Sequence, residues 1–147
     1  MRGARHLARL ALLYVSNGNI PSRWAHTVQT LKMSEALATL APSFRLLIAT
    51  SLAEQLRPRV DLWSWYGVAV PFPVQRLPLW AWRRDPLFER AHEPRFTRIA
   101  GPWAALLRPR LVWTRSHDAA LGCLRRGLPV LFEAHSPPTP RWRRKFE

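Results

Sequence analysis

The chain predicts an α/β fold with a mainly parallel sheet and helices on both faces, and three observations carry that expectation. Four short apolar runs, Leu10–Val15, Phe44–Thr50, Leu111–Thr114 and Pro129–Phe132, have the unbroken hydrophobicity of strands buried on two sides. Segments of helical character separate them. The first two runs also begin about one β-α-β repeat apart, the distance that a crossover helix requires.

The stretch from Leu10 to Leu40 organises the rest. Its apolar run leads into Ser16-Asn17-Gly18-Asn19-Ile20-Pro21-Ser22, a polar loop rich in turn-forming residues. In parallel sheets ligands bind at the turn leaving the carboxyl end of a strand, where the next helix directs its positive end. Ser22 can cap that helix by accepting from a free backbone N–H. The helix is expected from about Ala25 to Leu40. Met33, Leu37 and Leu40, with Ala36 between, are spaced to face the sheet, and Lys32 and Glu35 to point outward. Pro42 closes the segment, because proline disfavours helix in the residue before it.

After the second strand, Ser51–Leu56 suits a short helix, and Asp61–Gly67 suits one or two helical turns ended by glycine. Val68–Pro78 carries three prolines, which predicts an edge strand or extended loop, most strand-like at Val74–Leu77. Asp85-Pro86 reads as an N-cap and first helical residue, with Pro94 as the expected end. Phe96, Ile99, Ala100, Trp103 and Leu107 keep helical spacing, but Gly101-Pro102 interrupts them, so a kinked helix or two abutting helices are expected. Ser116 can cap a helix from His117, with Arg125 and Arg126 in its last turn and Gly127 beyond it. The strand Pro129–Phe132 leads into Glu133-Ala134-His135-Ser136-Pro137-Pro138. The final RWRRKFE would begin another helix where an α/β domain normally continues. Together these elements form one Rossmann-like domain over residues 1–147.

Composition narrows the class. A chain of 147 residues that is 48% hydrophobic supports a real core, which excludes wholesale disorder. The single cysteine, Cys123, excludes an internal disulfide and a cysteine-based zinc site, and is expected as a small core residue. The net charge of +14 favours phosphate-bearing partners, whether nucleic acid, anionic lipid or nucleotide. All but two of the 23 basic residues are arginine, scattered without a long block, so specific nucleic-acid recognition is not expected. Arg2, Arg5 and Arg9 before Leu10–Val15 resemble a signal peptide, but the apolar run is too short and no cleavage pattern follows. The expectation is a cytoplasmic protein.

His135 is the leading candidate for chemistry. It follows a buried strand, where open α/β sheets place ligand-contacting groups, and an imidazole there can donate to a hydroxyl or phosphate or accept a proton. His26 lies early in the first helix, beside the loop. Glu133 precedes His135 by two residues, so a continuing strand would set both side chains on one side. The five histidines lack metal-site spacing, and no GxSxG elbow, phosphate-binding Walker loop or full GxGxxG occurs. Gly18 alone serves the first loop. The tryptophan pairs Trp63/Trp65 and Trp80/Trp82 could stack on bases or sugars, or sit at a membrane interface.

The segment LLYVSNGNIPSRWAHTVQTLKMSEALA resembles the opening of family 4 glycosyltransferases of the two-lobed GT-B type. The likeness extends through Ile20-Pro21-Ser22, Ala25-His26, Gln29, Lys32-Met33 and Glu35-Ala36. It continues in Trp65–Val68, Phe72, Val74 and Arg76–Pro78, then Thr114-Arg115 and Phe132-Glu133-Ala134-His135. The resemblance implies retaining transfer of a sugar from a nucleotide-sugar donor, with no metal or other cofactor. It implies His135 as catalytic, near the transferred sugar, and Asn17, Gly18, Asn19, Ser22, His26, Arg115 and Glu133 as substrate-binding. The chain then corresponds to the N-terminal, acceptor-side half of a GT-B fold, truncated before a donor-binding C-terminal domain. Lipid-linked or glycan acceptors, and peripheral contact with an anionic membrane through Trp80, Trp82, Arg83 and Arg84, belong to the same expectation. The rival expectation is a non-catalytic basic module that binds polyanions.

Overall fold

The computed structural model describes residues 11–18, 20–21, 25–51, 61–79 and 88–134. Nine elements follow one another: β1 (Leu12–Ser16), α1 (Ala25–Leu40), β2 (Arg45–Ser51), α2 (Leu62–Tyr66), β3 (Val74–Leu79), α3 (Phe88–Leu107), β4 (Leu111–Thr114), α4 (His117–Leu124) and β5 (Val130–Phe132). The strands form one sheet of order β3-β2-β1-β4-β5, and every neighbouring pair is parallel. This is the Rossmann-like architecture that the apolar runs predict. The proline-bearing strand β3 takes an edge, where Pro78, opposite Thr50, has no second neighbour needing its missing N–H.

Side-chain alternation sorts the sheet into two cores. Leu12, Tyr14, Leu46 and Ile48 join Leu31 and Leu37 of α1 and Leu62 and Tyr66 of α2 on one face. Leu13, Val15, Leu47, Leu77 and Val112 pack with Phe96, Ala100 and Ala104 of α3 and Ala119 and Cys123 of α4 on the other. Cys123 is fully buried, and desolvation pushes its thiol up to about 11, so it is a core residue as expected.

Four expectations need correction. The run Pro129–Phe132 is not buried on two sides: β5 takes the other edge of the sheet, with Leu131 46% exposed. The buried stripe of α1 is Thr27, Thr30, Leu31, Ser34 and Leu37, whereas Leu40 is 57% exposed and Ala36 is exposed. Threonine can face a sheet when its hydroxyl bonds within the helix, as Thr30 Oγ1 does to the His26 carbonyl at 2.9 Å. Pro94 does not end a helix: α3 is continuous through it, and at Gly101-Pro102 it is one helix and not two abutting ones. Burial of Phe96, Ala100 and Ala104 outweighs the roughly 3 kcal/mol that an interior proline costs. Ile99 and Trp103, spaced to face the core, are partly exposed instead. The expected helix at 51–56 lies, beyond Ser51, outside the described residues.

The helix ends follow local chemistry. Asp61 caps α2 by accepting from the Trp63 N–H at 3.0 Å, and Gly67 closes it at φ 59°, a left-handed conformation suited to glycine. The strap after Gly67 is tied to α1. Glu35 Oε1 accepts from the Ala69 and Val70 N–H groups at 2.6 and 2.9 Å, and Lys32 bonds both Glu35 and the Gly67 carbonyl. The Val70 N–H, followed by the Ala69 N–H and Lys32, holds the Glu35 carboxyl below the usual glutamate range.

On the opposite face α3 and α4 touch backbone to backbone. A Cβ added at Gly101 would lie 2.5 Å from the Gly122 carbonyl oxygen and 2.8 Å from its carbon. Alanine normally stabilises a helix interior relative to glycine. Gly101→Ala is expected to do the reverse, lowering stability by about 1–3 kcal/mol through overpacking, as urea unfolding will record. Glu35 contributes to the acid limb of stability. Its folded pKa is depressed, so its contribution is complete above the unfolded glutamate value and is lost as pH falls through the folded value. Glu35→Gln should therefore lower the urea midpoint at neutral pH, and the gap from wild type should close in acid.

Candidate functional site

The winding of the sheet reverses between β1 and β4: the chain runs outward from β1 to β3, then returns to β4 on the other side of β1. Parallel sheets leave a crevice at the carboxyl ends of the strands where that reversal occurs. A cavity of about 310 Å³ lies there. One wall is Tyr14, Val15, Ser16 and Asn17 from the end of β1; a second is Ala25, His26, Gln29 and Thr30 from the first turns of α1; Arg115 and Ser116, after β4, complete it.

The floor is fixed by one hydroxyl. Thr114 Oγ1 donates to the Val15 carbonyl at 2.8 Å and accepts from the Ser116 N–H at 3.1 Å, both buried. It bonds the end of β1 to the turn leaving β4. Ser116 then caps α4, as predicted, by accepting from the Ala119 N–H at 3.3 Å. On the β1 side, the Gly18 N–H donates to Ser16 Oγ at 3.3 Å. The His26 ring lies so close to Gly18 that a Cβ there would be 3.6 Å from His26 Cδ2. Gly18 thus brings the first loop and the first helix into contact.

Arg115 carries the charge of the site. Its Nη2 donates to Glu133 Oε1 at 2.6 Å, while Glu133 Oε2 accepts from Trp113 Nε1 at 3.1 Å. The pair is mostly shielded, with side chains 14% and 29% exposed. Glu133 favours the charged guanidinium and raises its pKa further. The Glu133 N–H also bonds the Thr114 carbonyl at 3.0 Å, so the backbone pairing of β4 and β5 continues past Phe132 and sets Glu133 beside Arg115. Glu133 is not among the cavity-lining residues; it holds Arg115 at the rim.

Three buried polar atoms stand out, Tyr14 Oη, Ser34 Oγ and Arg115 Nε. Tyr14 is 1% exposed, and its hydroxyl makes no hydrogen bond among the described residues; neither does Arg115 Nε. Thr30 and Arg115 lie near enough to favour ionisation of the Tyr14 phenol, but burial dominates and raises its pKa above 10.0. Neither closes a bond of normal geometry with it.

The fold thus gathers Asn17, Gly18, His26 and Arg115 around one cavity, with Glu133 behind Arg115. Asn19, Ser22 and His135 lie outside the described residues, as do the tryptophans and arginines at 80–84. Tyr14, Ser16 and Thr30 were not legible as site residues. Tyr14 alone gave a signal, because a phenol within an aliphatic buried strand must bring its hydroxyl to a partner. Among the described residues no group of three histidine, cysteine or acidic side chains could hold a metal ion. No helix there is long and apolar enough to cross a membrane. No family model, curated protein or solved structure matches the chain.

The Arg115–Glu133 pair is intermediate between an exposed and a buried ion pair. Glu133→Ala, which strands both Arg115 and Trp113 Nε1, should destabilise the protein by about 1–3 kcal/mol at neutral pH. Chemical unfolding monitored by circular dichroism measures the loss.

Proposed function

We propose that this chain is the N-terminal, acceptor-side domain of a retaining GT-B glycosyltransferase. In the complete enzyme a sugar passes from a nucleotide-sugar donor to a glycan or lipid-linked acceptor. The observation that supports this reading is convergence. His26 and Gln29 belong to one piece of the family-like sequence and Arg115 to another, far along the chain, yet all three line one cavity at the switch point of the sheet. Glu133, from a third piece, holds Arg115.

The chemistry suits such a site. In retaining transfer, charge develops at the anomeric carbon and on the leaving phosphate, so side chains of this domain need to orient hydroxyls rather than abstract a proton. Arg115 presents N–H groups in a fixed fork, and its partner Glu133 limits the ways it can swing. His135 follows β5 by three residues and is assigned the contact with the transferred sugar on the resemblance alone. The same reading makes the protein cytoplasmic, with peripheral membrane contact through Trp80, Trp82, Arg83 and Arg84.

The decisive experiment expresses the natural reading frame with whatever sequence follows Glu147 and assays it against uridine, guanosine and adenosine diphosphate hexoses. The expected result is transfer or slow hydrolysis with retention, reduced about 10²–10⁴-fold in a folded His135→Ala variant. Turnover unaffected by that substitution removes His135 from the site. Tight, sequence-selective DNA binding with no turnover of any donor would establish the polyanion-binding alternative that the charge of +14 favours.

A further inference from the structure

We infer that the amino-terminal edge of the sheet, opposite the cavity, is a docking face for an anionic lipid bilayer. Leu40, Leu106 and Leu124 enter the interface there, and the arginines beside them meet lipid phosphates. The face shares no residue with the cavity lining and stands whether or not the chain transfers sugars.

Topology gathers this face. In a parallel sheet each crossover helix returns the chain to the starting edge, so α1, α3 and α4 end where β2, β4 and β5 begin. Each of those helix ends leaves a leucine in solvent: Leu40 is 57% exposed, Leu106 74% and Leu124 44%. Leu106 and Leu40 are the two most exposed large hydrophobic residues among those described. Exposed leucines scattered singly are ordinary, but these three stand at one edge. Helix α1 covers one face of the sheet and α3 and α4 the other, so the leucines do not form a row. Three points off a line define a plane. A flat bilayer meets all of them, whereas a single partner helix would follow a row along one element.

Charge selects the surface that the leucines meet. Arg45, Arg108, Arg110, Arg125 and Arg126 stand at the same edge, all exposed, and none is in an ion pair among the described residues. No aspartate or glutamate occurs in 40–45, 106–111 or 124–130. The carboxyl edge, by contrast, holds Asp118 and Glu133. An arginine just past a helix offsets the negative end of its dipole, which accounts for Arg108 and Arg125. That role calls for neither Arg45 and Arg110 nor exposed leucines beside them. A second copy of the chain would set these arginines against themselves, and like charges across an interface repel. Anionic headgroups answer both features at once. Arginine stems lie along apolar surface while their forked N–H groups reach phosphate oxygens, and the leucines pass into the acyl boundary.

The test sediments the 147-residue chain with vesicles of phosphatidylcholine alone and of a two-to-one mixture with phosphatidylglycerol, at low salt. The chain should travel with the anionic vesicles and stay behind with the neutral ones. Each basic residue near such a surface contributes about a fivefold factor, so Arg108→Gln/Arg110→Gln should weaken binding about 10–30-fold. Leu106→Gln should weaken it about 3–10-fold. All three side chains are exposed, so circular dichroism should be unchanged in both variants. Orientation is read with an environment-sensitive dye on an introduced thiol, since the native Cys123 is buried. On Leu106→Cys the dye should shift to the blue with anionic vesicles. On Val28→Cys, in the first turn of α1 at the cavity edge, it should not. Equal binding to both vesicles overturns the docking face, as does wild-type affinity in both edge variants or an equal shift at the two dye positions. Binding lost only in Trp80→Ala/Trp82→Ala would overturn it in favour of the segment after β3. A dimer abolished by Leu106→Gln would overturn it in favour of a second copy. Absence of sugar transfer in the longer enzyme moves none of these readouts, so the two failures are distinct.

Discussion

Strand β1 pairs with β2 on one edge and β4 on the other, and all five of its residues are buried. A strand so placed needs apolar cover on both faces, and the helices of the domain are deployed to provide it. Leu12 and Tyr14 are covered from the side of α1 and α2, Leu13 and Val15 from the side of α3 and α4. Because the two halves of the sheet wind away from β1 in opposite directions, the same constraint opens the crevice at its carboxyl end. Fold and site therefore have one origin. The hydroxyl of Thr114, bonded across to the Val15 carbonyl, holds that crevice at its width.

The legible parts of the fold were those in which one local rule acts alone. The apolar runs became strands, and Asp61, Gly67 and Ser116 became helix caps, because hydrogen-bonding and φ preferences at those positions meet no competitor. The prolines of α3 were misleading for the opposite reason: a local penalty met a larger tertiary gain from Phe96, Ala100 and Ala104. The face of α1 was misplaced because hydrophobicity undervalues Thr27, Thr30 and Ser34, which are small enough to lie against the sheet. Glu35 was expected to point into solvent, but it binds two backbone N–H groups of a strap more than thirty residues away, and no local pattern encodes a partner so distant.

The site was legible in the same uneven manner. Asn17, Gly18 and His26 could be placed because one loop and one helix hold them, and Arg115 because it follows a strand. The pairing of Arg115 with Glu133 depends on the register of β4 against β5, Thr114 opposite Phe132, which only the assembled sheet reveals. Tyr14 was hidden by its own surroundings. Flanked by aliphatic residues it reads as core, and it packs as core while also lining the cavity.

The glycine pair at Gly101 and Gly122 bears on how the crevice behaves when occupied. With no side chains between them, α3 and α4 have no compressible layer through which one could slide past the other. The capped start of α4, where Ser116 borders the cavity, is therefore as rigid as the long helix behind it. That wall is preorganised: a ligand meets it already formed, and little backbone ordering is charged against binding there. Discrimination on this side works as a fixed template, in which a ligand that fails to match the spacing of the polar groups is rejected instead of accommodated. Any adjustment to ligand size must come from the opposite wall, where the first loop meets α1.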